Sequence, residues 1–313
     1  MLRGASVLLV VLWHAISIPY ESVPAGIGWV MDFLSVYRVP LLLLLSGLLL
    51  DQSLKSGAGV RKPAGVYAWG KVRRIAWPLF LWSVVLLLVG WPTADASNPW
   101  FWLGDAAHLW YLGVLLACYA LGWFTRWVPA VVLFVALFIA MEFVRSDLAF
   151  VNNTLWFGLY FFAGAALSRV LDWWLRRSWL LPTAMLAASA AWAGYSATVN
   201  GYVPLAHWRP LLFGLMGIVA VVWFASRAPR VRWLEWGGQR SIVFYVAHVP
   251  LILLASRPLV EIAPPGLTYA ACIGAALAGS WLLARYFSGT VLFELPALPV
   301  RMRRKSSDEV SAP

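Results

Sequence analysis

Two histidines and a knot of basic residues are the groups in this chain best suited to chemistry. His14 lies in LRGASVLLVVLWHA, eleven positions after Arg3. On an α-helix, eleven steps of about 100° make nearly three whole turns, so the two side chains share one face. They are separated by about 16 Å along the axis. A neutral imidazole held in an apolar setting can take a proton, and a guanidinium suits a phosphate. Each residue taken singly also has a plain reading: a histidine that hydrogen-bonds a neighbouring helix, and an arginine that sets membrane orientation. SIVFYVAH places Ser241, Tyr245 and His248 four and three positions apart, again on one helix face. That set could contribute an oxyanion donor or a supporting contact, or simply hydrogen-bond between helices. GKVRRIAWP clusters Lys71, Arg73 and Arg74, which fits either a topology signal or an anion site. In GDAAHLWYL, His108 and Trp110 stand close after Asp105. The ordinary role for His108 beside Trp is interface anchoring. The alternative is that His108, Trp110 and Asp105 line a site for a substrate approaching from the outer side. No CxxC or HxxxH spacing points to a metal, and Cys118 and Cys272 read as small buried hydrophobes.

The elements that position these groups are membrane helices. The 313 residues are 62% hydrophobic and only 12% charged, against roughly half and a quarter in soluble domains. The 21 tryptophans fit membrane–water interfaces. A bilayer core needs about 20 apolar residues per helix. Ten stretches approach that length, at about 3–19, 31–50, 75–91, 107–124, 127–143, 154–171, 179–197, 209–226, 241–256 and 267–287. If the N-terminus is cytoplasmic, 20 of the Lys and Arg fall on inside segments and 4 outside. The positive-inside rule then predicts an all-α integral membrane protein with ten transmembrane helices and both termini cytoplasmic. It also accounts for the net charge of +11 without nucleic acid. Arg3, the apolar run and SVPA also resemble a cleavable signal peptide, although the many later spans need no such signal. Residues 1–299 read as one membrane domain and 300–313 as a polar, disordered cytoplasmic tail. Asp32, Asp105 and Glu142 fall near outer span ends, Asp51 near an inner end, and no acid at mid-span. That argues against ion-coupled transport, which relies on buried carboxylates.

Taken in order, these motifs resemble the membrane-bound acyltransferase-3 family. LRGASVLLVVLWHA is similar to its opening arginine and histidine, VPLLLLLSGLLL to its second-span Ser-Gly motif, and KVRRIAWP to its basic motif. HLWYL is similar to its Trp-containing fourth-span motif and SIVFYVAH to its late Ser, Tyr and His motif. Lys71 stands in place of the first arginine of the basic motif, and leucines replace the phenylalanines before Ser46. The Val-Pro before the leucine run looks like the fucose 4-O-acetylase branch.

The resemblance implies a bacterial inner-membrane enzyme that moves an acyl group, acetyl by default, from cytoplasmic acyl-CoA to a hydroxyl of a cell-envelope or exported glycan. It implies His14 and Arg3 as catalytic residues and Lys71, Arg73 and Arg74 as contacts to the donor's phosphates. Ser241, Tyr245 and His248 would support the reaction, and His108, Trp110 and Asp105 would face the acceptor. The partners are then acyl-CoA as co-substrate, the glycan and the bilayer, with no bound cofactor. The rival readings are a transporter or flippase for a lipid-linked sugar, and an inert scaffold in an envelope complex.

Overall fold

The computed structural model describes residues 1–297 apart from 58, 93, 106, 145 and 201–206, with no side-chain description at 104, 105 and 107. The tail expected at 300–313 and the outer charge Arg145 lie outside the described residues, as does the side chain of Asp105. The described residues fold as helices without a strand. In chain order they are α1 (Leu2–Ser17), α2 (Ala25–Phe33), α3 (Ser35–Leu48), α4 (Leu50–Leu54), α5 (Ala64–Lys71) and α6 (Trp77–Leu88). Then follow α7 (Trp110–Phe124), α8 (Ala130–Phe143), α9 (Ala149–Leu175) and α10 (Leu180–Asn200). The last four are α11 (Trp208–Ala225), α12 (Arg232–Gln239), α13 (Ser241–Ser256) and α14 (Pro265–Tyr286). Prolines mark several starts: Pro24, Pro63, Pro129 and Pro264 cap α2, α5, α8 and α14. A proline costs nothing there, because the first amides of a helix have no internal acceptor.

Every apolar stretch read from the sequence carries helix. By length and apolar composition, four helices can cross a membrane: α2 and α3 together (Ala25–Leu48), α9, α11 and α14. A fifth arises if α12 and α13, bent by 81° at their junction, count as one span. Helices α1, α7 and α8 are apolar but shorter, at 16, 15 and 14 residues.

Helix α1 sits centrally, packed against α3, α12, α13 and α14. It therefore buries Val7, Val10, Val11 and Ala15 while presenting its polar residues to helices, not lipid. Helices α3 and α9 approach most closely through two glycines. A Cβ on Gly47 would overlap the Phe161 carbonyl, and one on Gly164 would overlap that of Leu44. The Ser46–Gly47 pair of the second-span motif is thus a backbone-contact point, as expected where small residues let helices touch. Ser46 also returns its hydroxyl to the Leu42 carbonyl at 2.8 Å.

After α14 the chain folds back along α6. Trp82 Nε1 donates to the Leu292 carbonyl at 3.0 Å, and Phe293, fully buried, stacks on Trp82 with ring centroids 5.5 Å apart.

Candidate active site

The bend at the α12–α13 junction and the central place of α1 bring three histidines together. His248 Nε2 lies 3.2 Å from His14 Nδ1. The His108 ring is 4.7 Å from that of His248 and 6.2 Å from that of His14, centroid to centroid. His14 Nδ1 also faces the Val10 carbonyl at 2.9 Å, and His248 Nδ1 faces that of Phe244 at 3.0 Å. A ring nitrogen facing a carbonyl at that distance carries the proton. The network therefore assigns Nδ1–H to both rings, which leaves Nε2 of His14 as its basic nitrogen. The Nε2 lone pair of His248 then faces the Nδ1–H of His14. His108 is fully buried, and neither of its ring nitrogens makes a well-formed hydrogen bond among the described residues. Its carbonyl accepts a hydrogen bond from the Tyr245 hydroxyl.

Next to this cluster opens a cavity of about 520 Å³. Arg3, Lys62, Lys71, Arg73 and Arg74 contribute to its wall, together with Ser46, Ser241, Tyr111 and Tyr245, and among the described residues no acidic side chain lines it. Tyr245 links the cavity to the histidines: its ring lies 5.5 Å from that of His108 and 6.0 Å from that of His248, and Tyr111 packs on it with centroids 5.0 Å apart. Lys71 Nζ rests 3.2 Å from the centroid of the Tyr119 ring. Burial, together with the nearby charges of Lys62, Arg74 and Arg3, pulls the Lys71 ammonium down to about 7. Five basic side chains, two of which share Glu294 as an ion-pair partner, make a site that favours a polyanion.

The basic motif has its own backbone geometry. Val72–Ala76 forms one π turn, in which the Trp77 amide bonds the Val72 carbonyl. In a regular α-helix that amide would serve Arg73, and the next residue, Pro78, has no N–H to offer. The Arg73 carbonyl accepts instead from Leu295 N at 3.2 Å. π turns of this kind concentrate at functional sites.

An acyltransferase domain family matches residues 1–285. The chain belongs to the acyltransferase-3 family. Members of this family transfer acyl groups other than aminoacyl groups, so the chain is a multi-pass membrane acyltransferase. No curated protein and no solved structure matches it.

Within this acyltransferase, one cavity gathers Arg3, Lys71, Arg73, Arg74, Ser241 and Tyr245, and His14 and His248 meet behind its tyrosine wall. One expectation needs correction. His108 is not an interface anchor at an outer span end. A π turn at Phe101–Asp105 and a 3₁₀ turn at Ala107–Leu109 carry it under α13, where it is 3% exposed. Trp110 follows it at the start of α7, half-buried and packed on Phe157 with centroids 4.7 Å apart.

Arg38 also departs from the sequence reading, which placed it among the outer loop charges. It lies inside α3 with 9% exposure, its guanidinium 4.8 Å from the Trp13 ring centroid and close enough to act on His14 through its charge. A buried cation at such depth is a functional signal. Its position within the apolar run around Pro40 is where that signal could have been read. Lys62 and Tyr119 join the site without any local pattern to announce them, and Tyr67 stands one helical turn before Lys71.

Proposed function

We propose that this acyltransferase moves an acyl group, acetyl in the first instance, from cytoplasmic acyl-CoA to a hydroxyl of a cell-envelope or exported glycan. In this reading the chain crosses the inner membrane of a bacterial cell ten times and keeps both termini in the cytoplasm. The single observation that carries the donor assignment is the cavity walled by Arg3, Lys62, Lys71, Arg73 and Arg74, with no acid among its described lining residues and Tyr245 joining it to the histidine cluster. The Val-Pro before the leucine run, which looks like the fucose 4-O-acetylase branch, supports a glycan hydroxyl as acceptor.

The phosphates of the donor rest on the arginines and Lys71, with the thioester arm directed past Tyr111 and Tyr245. His14 Nε2 takes the proton of the acceptor hydroxyl as that oxygen attacks the thioester carbonyl. Positioned proton transfer of this kind is worth about 10²–10⁴-fold in rate. The charge that develops on His14 is stabilised by acceptors already facing its Nδ1–H, the Val10 carbonyl and His248 Nε2. The tetrahedral oxyanion needs a donor. Ser241, Tyr245 and His248 are the candidates on α13, and the Tyr245 hydroxyl already donates to the His108 carbonyl. Collapse breaks the C–S bond, and the thiolate leaves with the proton returned from His14.

The test is transfer of labelled acetyl from acetyl-CoA to a glycan acceptor by the purified protein. Wild type should label the acceptor, and His14→Ala should insert normally yet transfer nothing. Transfer by His14→Ala near the wild-type rate would remove His14 as the base. Movement of an unmodified lipid-linked sugar across vesicles, with no label transferred, would favour a transporter. Arg3→Ala should raise the apparent KM for the donor.

A further inference from the structure

The segment after α14 does more than end the fold. Glu294 Oε1 accepts from Arg74 Nε at 2.9 Å and also pairs with Arg73 Nη2. One carboxylate oxygen thus bridges two adjacent guanidinium groups of the basic motif. The backbone that carries it is fixed. Phe293 is buried against Trp82, Trp82 holds the Leu292 carbonyl, and Leu295 N–H occupies the Arg73 carbonyl that the π turn and Pro78 leave without a helical donor. The strap is therefore docked on the basic motif by the motif's own irregularity. It also lies beyond the family match, which ends at residue 285.

Arg73 and Arg74 belong to the wall of the basic cavity, and Glu294 does not. The carboxylate holds the arginines from behind and leaves the ligand's space open. A carboxylate competing for that space would enter the cavity, and one seeking the strongest pairing would use both oxygens on a single guanidinium fork. Here one oxygen serves both side chains, which offsets the repulsion between them.

We infer that Glu294 is a positioning residue of the donor site, holding Arg73 and Arg74 as a pair for the phosphates of acyl-CoA. This rests on the reading of the cavity as the donor site. An arginine pair set in advance loses less side-chain freedom when the ligand binds, and that gain outweighs the modest repulsion from a carboxylate placed behind it.

The experiment measures binding of CoA, and separately of inorganic pyrophosphate, to the purified full-length protein by calorimetry, alongside donor and acceptor kinetics and thermal unfolding. Glu294→Gln keeps the shape and the strap while removing the charge. It should weaken CoA and pyrophosphate binding about tenfold, the scale of one charge-assisted hydrogen bond. KM for the donor should rise in parallel, with kcat at saturating donor and KM for the acceptor unchanged. CoA binding by Glu294→Gln that equals or exceeds wild type would overturn the positioning role and leave the cavity as donor site. A joint fall in kcat and acceptor KM with an unaltered CoA affinity would overturn it in favour of a structural role. Failure of the wild type to bind CoA or pyrophosphate would overturn the donor-site reading itself. Should Glu294→Gln unfold, Glu294→Asp, which keeps the charge at shorter reach, is judged on the same affinities: wild-type CoA binding there overturns the inference, and weakened binding upholds it.

Discussion

At the scale of single residues, Lys71 makes the most direct link between environment and function. Its ammonium, held down to about 7 by burial and by Lys62, Arg74 and Arg3, is half protonated near neutrality. A bound phosphate favours the protonated form, so the pKa of Lys71 rises on donor binding. The affinity gain is full below the free-state value and is lost as pH rises through the bound-state value. CoA affinity should therefore be flat below pH ~7 and fall above it, by at most about tenfold per unit. Lys71→Arg, charged throughout, should remove that fall; calorimetric titration at several pH values reads both. An unchanged pH profile in Lys71→Arg would exclude Lys71 as its source. The sequence marked Lys71 as the odd member of an otherwise arginine-rich motif. Part of its burial comes from Tyr119, which closes over it from α7, whereas Tyr67 stands one turn earlier on its own helix α5.

At the scale of elements, the close pairing of α3 and α9 decides whether the site can assemble, because α3 supplies both Ser46 and the wall behind α1. Gly47→Ala would drive a Cβ into the Phe161 carbonyl, which is backbone and cannot rotate away. The expected cost is about 3 kcal/mol, at the upper end for overpacking. Gly274→Ala in α14 is the matched control, since a Cβ there meets nothing within 4 Å. That variant should keep the wild-type unfolding temperature. Thermal unfolding in detergent separates the two, and equal behaviour of both variants would refute close packing as the role of the Ser-Gly motif. The apolar run and its small residues were readable from the sequence. Which helix the glycine faces was not, because Gly164 belongs to a segment over a hundred residues away.

At the scale of the whole molecule, the distribution of basic residues makes a topological prediction. With both termini cytoplasmic, the loop at Ser56 is inside and the loop before α14, at Ala263, is outside. Cys118 and Cys272 are buried, at 1% and 0% exposure, and stay silent to polar thiol reagents. An impermeant maleimide applied to intact cells should label Ala263→Cys and should reach Ser56→Cys only after lysis. The opposite pattern would invert the topology and move the basic cavity to the other side, away from cytoplasmic CoA.

The sequence by itself determined the apolar helical stretches, the bias of positive charge and the ordered motifs of an acyltransferase, because these are local properties of composition and period. Helical phase was also enough to put Arg3 and His14 on one face of α1. Only the tertiary structure decided that His108 joins His14 and His248. Hydropathy places a residue along a helix but says nothing of the turn at Phe101–Asp105 that carries it inward. The same holds for Glu294. An acid in the segment after the last helix has no period to read, and its meaning depends on a carbonyl freed by Pro78 more than two hundred residues earlier.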